Sequence, residues 1–210
     1  MYTQTLRHIS TGLLLMATAI ILPASVWADP NPSGTNFLQA YGNSFSYDPA
    51  TDTTTVFSAV FSNGAVHVPG GAPDDFTYGY TRFDTYDATT GFLLSFGFGW
   101  VNDQSIPSGL TAASSSAEID IYTFDPMSGN YVVTSQAIPV EVTFTAAGDA
   151  QRNDFHDIGR TSTFNFVSIQ SARYKPATMS IVIDAAQVPV DDSLGIIEAS
   201  RNIYMHNELP

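Results

Sequence analysis

From Phe92 to Trp100 the chain reads Phe-Leu-Leu-Ser-Phe-Gly-Phe-Gly-Trp, with a large apolar group at every second position. A period of two is the repeat of a β-strand, whose side chains point alternately to opposite faces, and not the 3.6-residue repeat of a helix. The same rhythm returns at Phe76, Tyr78 and Tyr80, at Ile119 and Ile121, at Val140, Val142 and Phe144, at Phe164 and Phe166, and at Met179, Ile181 and Ile183. Helix-favouring composition is missing: lysine occurs once, Asp outnumbers Glu, and Ser and Thr are abundant. An all-β fold is predicted.

Three polar segments punctuate these runs: Tyr47 to Asp52, Tyr86 to Gly91 and Phe124 to Gly129. In each, an aromatic residue ends one strand, an Asp can accept bonds from the amides ahead of it, and Gly or Asp supplies the position that tolerates a positive φ. Asp48, Asp87 and Asp125 stand 39 and 38 residues apart, a spacing that suggests a repeat, yet no fourth copy follows near residue 163. Shared turn chemistry accounts for the likeness, and each segment is expected to close an antiparallel hairpin. About ten short strands joined by polar turns predict an antiparallel two-sheet sandwich or jelly roll, because stacked or closed sheets bury many alternating faces. An outer-membrane barrel fits less well, since 101–111 and 145–159 read as long irregular connections. The β-sandwich domain is expected over residues 37–188, after a flexible Pro- and Asn-rich lead-in at 29–36. In the C-terminal tail, 189–210, a short helix starting near Ser193 and a last strand through Ile203 and Met205 both fit.

Residues 1–28 read as a signal peptide. Arg7 and His8 give a basic start, an apolar run follows from Ile9 to Leu22, and Val26-Trp27-Ala28 offers the compact residues that a signal peptidase reads. That run is shorter than the ~20 apolar residues of a membrane-spanning helix, and no later one approaches that length. The expected mature chain is secreted or periplasmic, with no membrane span. Twenty acidic side chains face seven basic ones, a net charge of −13. Such a surface repels phosphate backbones, which argues against nucleic acid as a partner, while cations stay compatible. Arg152, Arg160, Arg173 and Lys175 form the one basic neighbourhood. With no cysteine, disulfides, thiolate metal sites and thiol nucleophiles are excluded, so a packed interior must stabilise the fold.

Folding 76–86 back on 92–101 through the Asp87 turn sorts the side chains into two unlike faces. One carries Phe76, Tyr78, Tyr80, Phe92, Phe96, Phe98 and Trp100; the other carries Thr77, Gly79, Thr81, Ser95, Gly97 and Gly99, with Leu93 among its few large apolar members. Aromatics at strand spacing usually fill interiors, so the crowded face is expected to be core, with an exposed platform for stacking sugar rings as the alternative. The bare face invites close approach and is expected to be covered, within the fold or by self-association.

The common catalytic motifs are absent: there is no Gly-x-Ser-x-Gly elbow, His-Glu-x-x-His pair, phosphate-binding glycine loop or calcium-loop signature. The nearest approach is Glu118-Ile119-Asp120-Ile121-Tyr122-Thr123, where alternation puts the two carboxylates on one face. This segment resembles the nucleophile strand of the laminarinase and lichenase type of jelly-roll glycosidases. The resemblance implies Glu118 as nucleophile and Asp120 as its electrostatic helper, but where that family has a second Glu, four or five positions on, this chain has Tyr122 and Thr123. Two carboxylates must flank a scissile glycosidic bond, so Glu118 and Asp120 are expected chiefly to form the solvated face of a strand.

A second cluster, Asp154-Phe155-His156-Asp157 with Asp149, falls in the longest predicted polar loop. Asp154, His156 and Asp157 are the candidate metal ligands, suited to Ca²⁺ through their oxygens or to Zn²⁺ or Mn²⁺ with the imidazole. Their spacing matches no known ligand set, and a structural loop without a cofactor is the expected reading. Asp74, Asp75, Asp84 and Asp87 are further carboxylates of the same kind, and His67 and His206 stand alone.

Export, strand and turn signals without a competent reacting group point to a non-catalytic binding or assembly module outside the cytoplasm. Its expected partner is a glycan, a cation or a surface protein, and self-association is compatible with it. The alternative is a carboxylate-based hydrolase, either a glycosidase using Glu118 and Asp120 or a metal-dependent enzyme using the 154–157 loop.

Overall fold

The computed structural model describes residues 33–67, 72, 74–160 and 164–208, and the expected signal at 1–28 lies outside them. Ten strands make up the described chain: β1 (Ser33–Asp48), β2 (Thr53–His67), β3 (Asp74–Asp87), β4 (Leu93–Ser105), β5 (Ala112–Asp125), β6 (Asn130–Ala146), β7 (Gln151–Arg160), β8 (Phe164–Ile183), β9 (Ala186–Gln187) and β10 (Asp192–Glu208). Every pairing is antiparallel, so the predicted all-β antiparallel class is what the chain adopts.

β1 to β6 follow one another as a meander, β8 adds to β6, and β10 bridges β8 and β1. One sheet therefore wraps around and closes into an eight-stranded ring, where two stacked sheets were expected. Both arrangements bury the same alternating faces, and the tail is what closes the ring. Residues 192–208 are strand, not helix: they pair with β1 from Phe45↔Asp192 to Ser33↔Tyr204 and with β8 from Gly195↔Ala177 to Glu208↔Phe164. β1 itself starts at Ser33, so the second half of the expected lead-in is also strand. β6 and β7 lie on the same side of β8, beside 177–183 and 165–174 respectively, and act as one long strand interrupted at 147–150. The connection predicted at 145–159 is thus mostly strand, and that at 101–111 is strand up to Ser105. Residues 151–158 are exposed on both faces, and a strand with no buried face shows no alternation to read.

Inside the ring, Phe57, Phe61, Ile119, Val142, Phe144, Ile181 and Ile197 interdigitate. They leave little room on the walls they face: a Cβ on Gly195 would stand 2.7 Å from the Phe144 ring, and one on Gly79 would stand 2.7 Å from Phe61 Cβ. Gly97 and Gly99 are buried too, with Gly97 directly beneath the Phe83 ring. An eight-stranded barrel is just wide enough to be filled by its own side chains, and facing large residues with small ones lets them fit. The glycine face is covered within the fold, as expected. Ile106 and Leu110 from the β4–β5 link, and Val188 and Val190 from the link before β10, pack onto this core. An apolar filling is the reverse of the polar interior of an outer-membrane barrel.

The three predicted turns close β1–β2, β3–β4 and β5–β6, which places all three at one rim. Asp48 accepts the Ala50 amide and the Thr51 hydroxyl at 2.8 Å each, Asp87 accepts both from Thr90 at 2.7 Å, and Asp125 accepts the Met127 amide at 2.9 Å. Asp52, Gly91 and Gly129 take the positive φ, at 52°, 72° and 69°. Asp52 also ties two turns together, accepting the Thr89 hydroxyl at 2.7 Å and, through its carbonyl, the Ala88 amide at 2.8 Å.

Candidate binding surface

The alternation that turns Gly79, Gly97 and Gly99 inward sends Tyr78, Tyr80, Phe96, Phe98 and Trp100 to the outer wall. The expectation that this face is core is overturned: Trp100 is 58% exposed, Phe92 44% and Tyr78 40%. Volume decides the orientation. Phe57, Phe61 and Phe144 from β2 and β6 already fill the interior, and only the bare face of the β3–β4 hairpin is thin enough to line it.

The outer rings form two groups. On β3–β4, Trp100 meets Tyr78 at 5.8 Å and Phe98 at 5.2 Å, both edge-on, and Tyr80 stacks on Phe98 at 5.9 Å. Burial among these neighbours pushes the Tyr80 hydroxyl above its usual value. Across β4–β5–β6, Phe96 stacks on Tyr122 at 4.9 Å with planes 9° apart, Tyr131 contacts both Phe96 and Phe124, and Phe92 meets Phe124 at 4.8 Å. Arg82 links the groups. Its guanidinium holds Asp84 through bonds of 2.8 and 2.7 Å and lies 5.8 Å from the Phe96 centroid. Such aromatic pairs contribute about 0.5–1.5 kcal/mol each to a sheet, which accounts for the mutually covered rings but not for an exposed indole.

The carboxylates singled out in the sequence adjoin this band. Phe98 pairs with Asp120 and Val101 with Ala117, which sets Glu118 abreast of Trp100. Glu118 and Asp120 share a face, as alternation required, but it is the outer wall of the barrel. Asp120 accepts the Ala137 amide at 3.1 Å and so braces the irregular pairing of β5 and β6, where Ala137 has φ 52°. A carboxylate engaged in this way supports the strand and is poorly placed to assist a nucleophile.

The predicted metal ligands are not in a loop. Asp154, His156 and Asp157 lie on β7, where alternation puts the first two on one face and Asp157 on the other. Asp154 pairs with Arg152 at 2.6 Å, and bonds from Ser171 and Arg152 hold its carboxyl below the usual range. Asp84 is taken by Arg82 and Asp87 by its turn. Among the described residues, no group of three or more acidic or histidine side chains is arranged to hold a metal ion.

Beyond Trp100 the wall dips into a groove of about 280 Å³, lined by Asp103, Gln104, Ser105, Ser114, Ser115, Ser116, Glu141, Val142 and Thr143. Ser116 pairs with Asp103 on one side and Glu141 on the other, and Glu118 follows two residues along the same face. Sequence reading missed this site. Asp103 and Glu141 are far apart in the chain and meet only through the β4–β5–β6 ladder, and the serines between them carry no motif.

No protein family matches this chain, and no curated protein does. Among solved structures, an acetoacetate decarboxylase-like enzyme from Sphingomonas wittichii RW1 is 9% identical, over 87% of this chain and 94% of that one, with a TM-score of 0.23. At that TM-score nothing about fold or activity carries across.

Proposed function

We propose that the chain is an exported, non-catalytic binding module that holds a glycan against the outside of its barrel. The observation that carries this reading is the exposed Trp100, standing between Tyr78 and Glu118 at the head of a polar groove. A sugar offers apolar C–H faces that stack on aromatic rings and hydroxyls that bond to carboxylates, amides and serines. Trp100 and Tyr78 supply the first kind of contact, and Glu118, Asp103, Glu141, Ser114 and Ser116 supply the second, in one continuous lane. The interior is filled, so a ligand meets the protein from outside. Hydrolysis needs two carboxylates flanking a bond in a cleft; Glu118 and Asp120 instead stand side by side on one outer strand, which favours binding.

Trp27 falls within the expected signal, so a chain starting at Asp29 has Trp100 as its one tryptophan, and its fluorescence reports on the band directly. Titration with cello-, chito- and laminari-oligosaccharides is expected to shift that emission for at least one series and to raise the melting temperature. Replacing Tyr78 by Ala should weaken that binding at least tenfold, about 1.4 kcal/mol, with the indole still present to report it. Emission and melting temperature that ignore every sugar would overturn the reading. Shortening of an oligosaccharide that stops with Glu118→Gln would establish a hydrolase instead.

A further inference from the structure

We infer that two copies of this chain join edge to edge through β7, in a single register centred on Phe155. β7 ends the ladder: its ten residues pair with β8 on one side, and no described strand lies on the other. Alternate N–H and C=O groups along that free side are an open template for another strand. Phe155 is 55% exposed and Ile158 79%, on opposite faces of the strand. Proteins often blunt such edges with charge, but here the charges are of both signs, from Arg152, Asp154 and Asp157, with the His156 imidazole among them. Mixed signs repel in some alignments and attract in others, so register decides the outcome.

A second copy is the occupant these residues favour. Two identical antiparallel edges form one continuous sheet about a two-fold axis normal to it, and alternation of faces forces that axis through a residue. An axis at Asp154 or Asp157 opposes a carboxylate to its own copy. An axis at His156 sets Arg152 against Arg160, and one at Asn153 leaves half the strand unpaired. At Phe155, Asp154 faces His156 twice, the two Phe155 rings face each other, Asn153 faces Asp157, and Arg152 faces Ile158. Arg152 also keeps its own Asp154, so a row of Arg, Asp and His crosses the junction at each end. Asp154 and Asp157, each of which would oppose its own copy in a neighbouring register, here meet His156 and Asn153 instead.

The chain has no cysteine, so a single introduced thiol reads the register. Residues directly opposed in an antiparallel pair have Cα atoms ~4.5–5.5 Å apart, within the ~4.4–6.8 Å span of a disulfide. Under mild oxidation Phe155→Cys is expected to give a covalent dimer. Asn153→Cys and Asp157→Cys should each remain uncoupled alone and should couple when mixed. Light scattering on the unaltered chain should give twice the protomer mass at high concentration, and Asp154→Arg should return it to the protomer mass while a cooperative unfolding transition is kept. A protomer mass at every concentration overturns the proposal, as does a dimer that Phe155→Cys fails to trap or that cysteines at 153, 155 and 157 trap alike. No sugar enters these measurements, so they stand or fall apart from the glycan reading.

Discussion

A methyl group at Gly97 has to displace the Phe83 ring, which itself leans on Phe57 at 5.9 Å. Gly97→Val is expected to cost about 1–3 kcal/mol by overpacking, read as a lower urea midpoint, with Gly97→Ala plus Phe83→Leu recovering part of it. A midpoint that does not move would mean that Gly97 lines no interior. The sequence showed that Gly79, Gly97 and Gly99 share a face and that something covers it. It could not show that the aromatic face turns outward, because neither face of this hairpin is polar and hydropathy does not rank a crowded wall against a bare one. The deciding quantity is the space left by Phe61, Phe144 and Ile119, which lie on other strands. Glu118 was likewise legible as a surface carboxylate, while its place beside Trp100 depends on the β4–β5 register.

The hairpin turns are the elements that local sequence specified best, since their bonds close within four or five residues of each Asp. The carboxyls of Asp48, Asp87 and Asp125 are all held below the ordinary range, first by the hydroxyls of Thr51, Thr90 and Ser128 and then by backbone amides. A folded-state value below the unfolded one, about 3.9 for Asp, means that the stabilisation is fully present above that pH and is lost as pH falls through the lower folded values. Melting temperature should therefore drop below about pH 4, and the drop should be shallower in the triple Asp48→Asn, Asp87→Asn, Asp125→Asn chain than in the parent. An equal drop in both would remove these turns from the acid response. β7 is the opposite case. Its charges read as a loop because both of its faces meet solvent, and only the pairing with β8 makes it a strand.

Closure belongs to the whole molecule, and nothing within one strand announces it. β1 and β10 pair over most of their lengths from opposite ends of the chain, and Ile197 in β10 is fully buried in the core. Ile197→Ala is expected to cost about 2–5 kcal/mol in denaturant unfolding. A chain cut after Asp191 should lose its cooperative transition and bind a hydrophobic dye; a sharp transition in that fragment would show that the ring is dispensable. Contacts this distant in sequence form late, because the intervening chain must be gathered before they repay its loss of freedom. A polypeptide made amino end first thus holds β1 with one flank unclaimed until β10 has emerged. For that interval the protein is a ribbon with two raw margins, and its safety from clumping rests on how soon they meet.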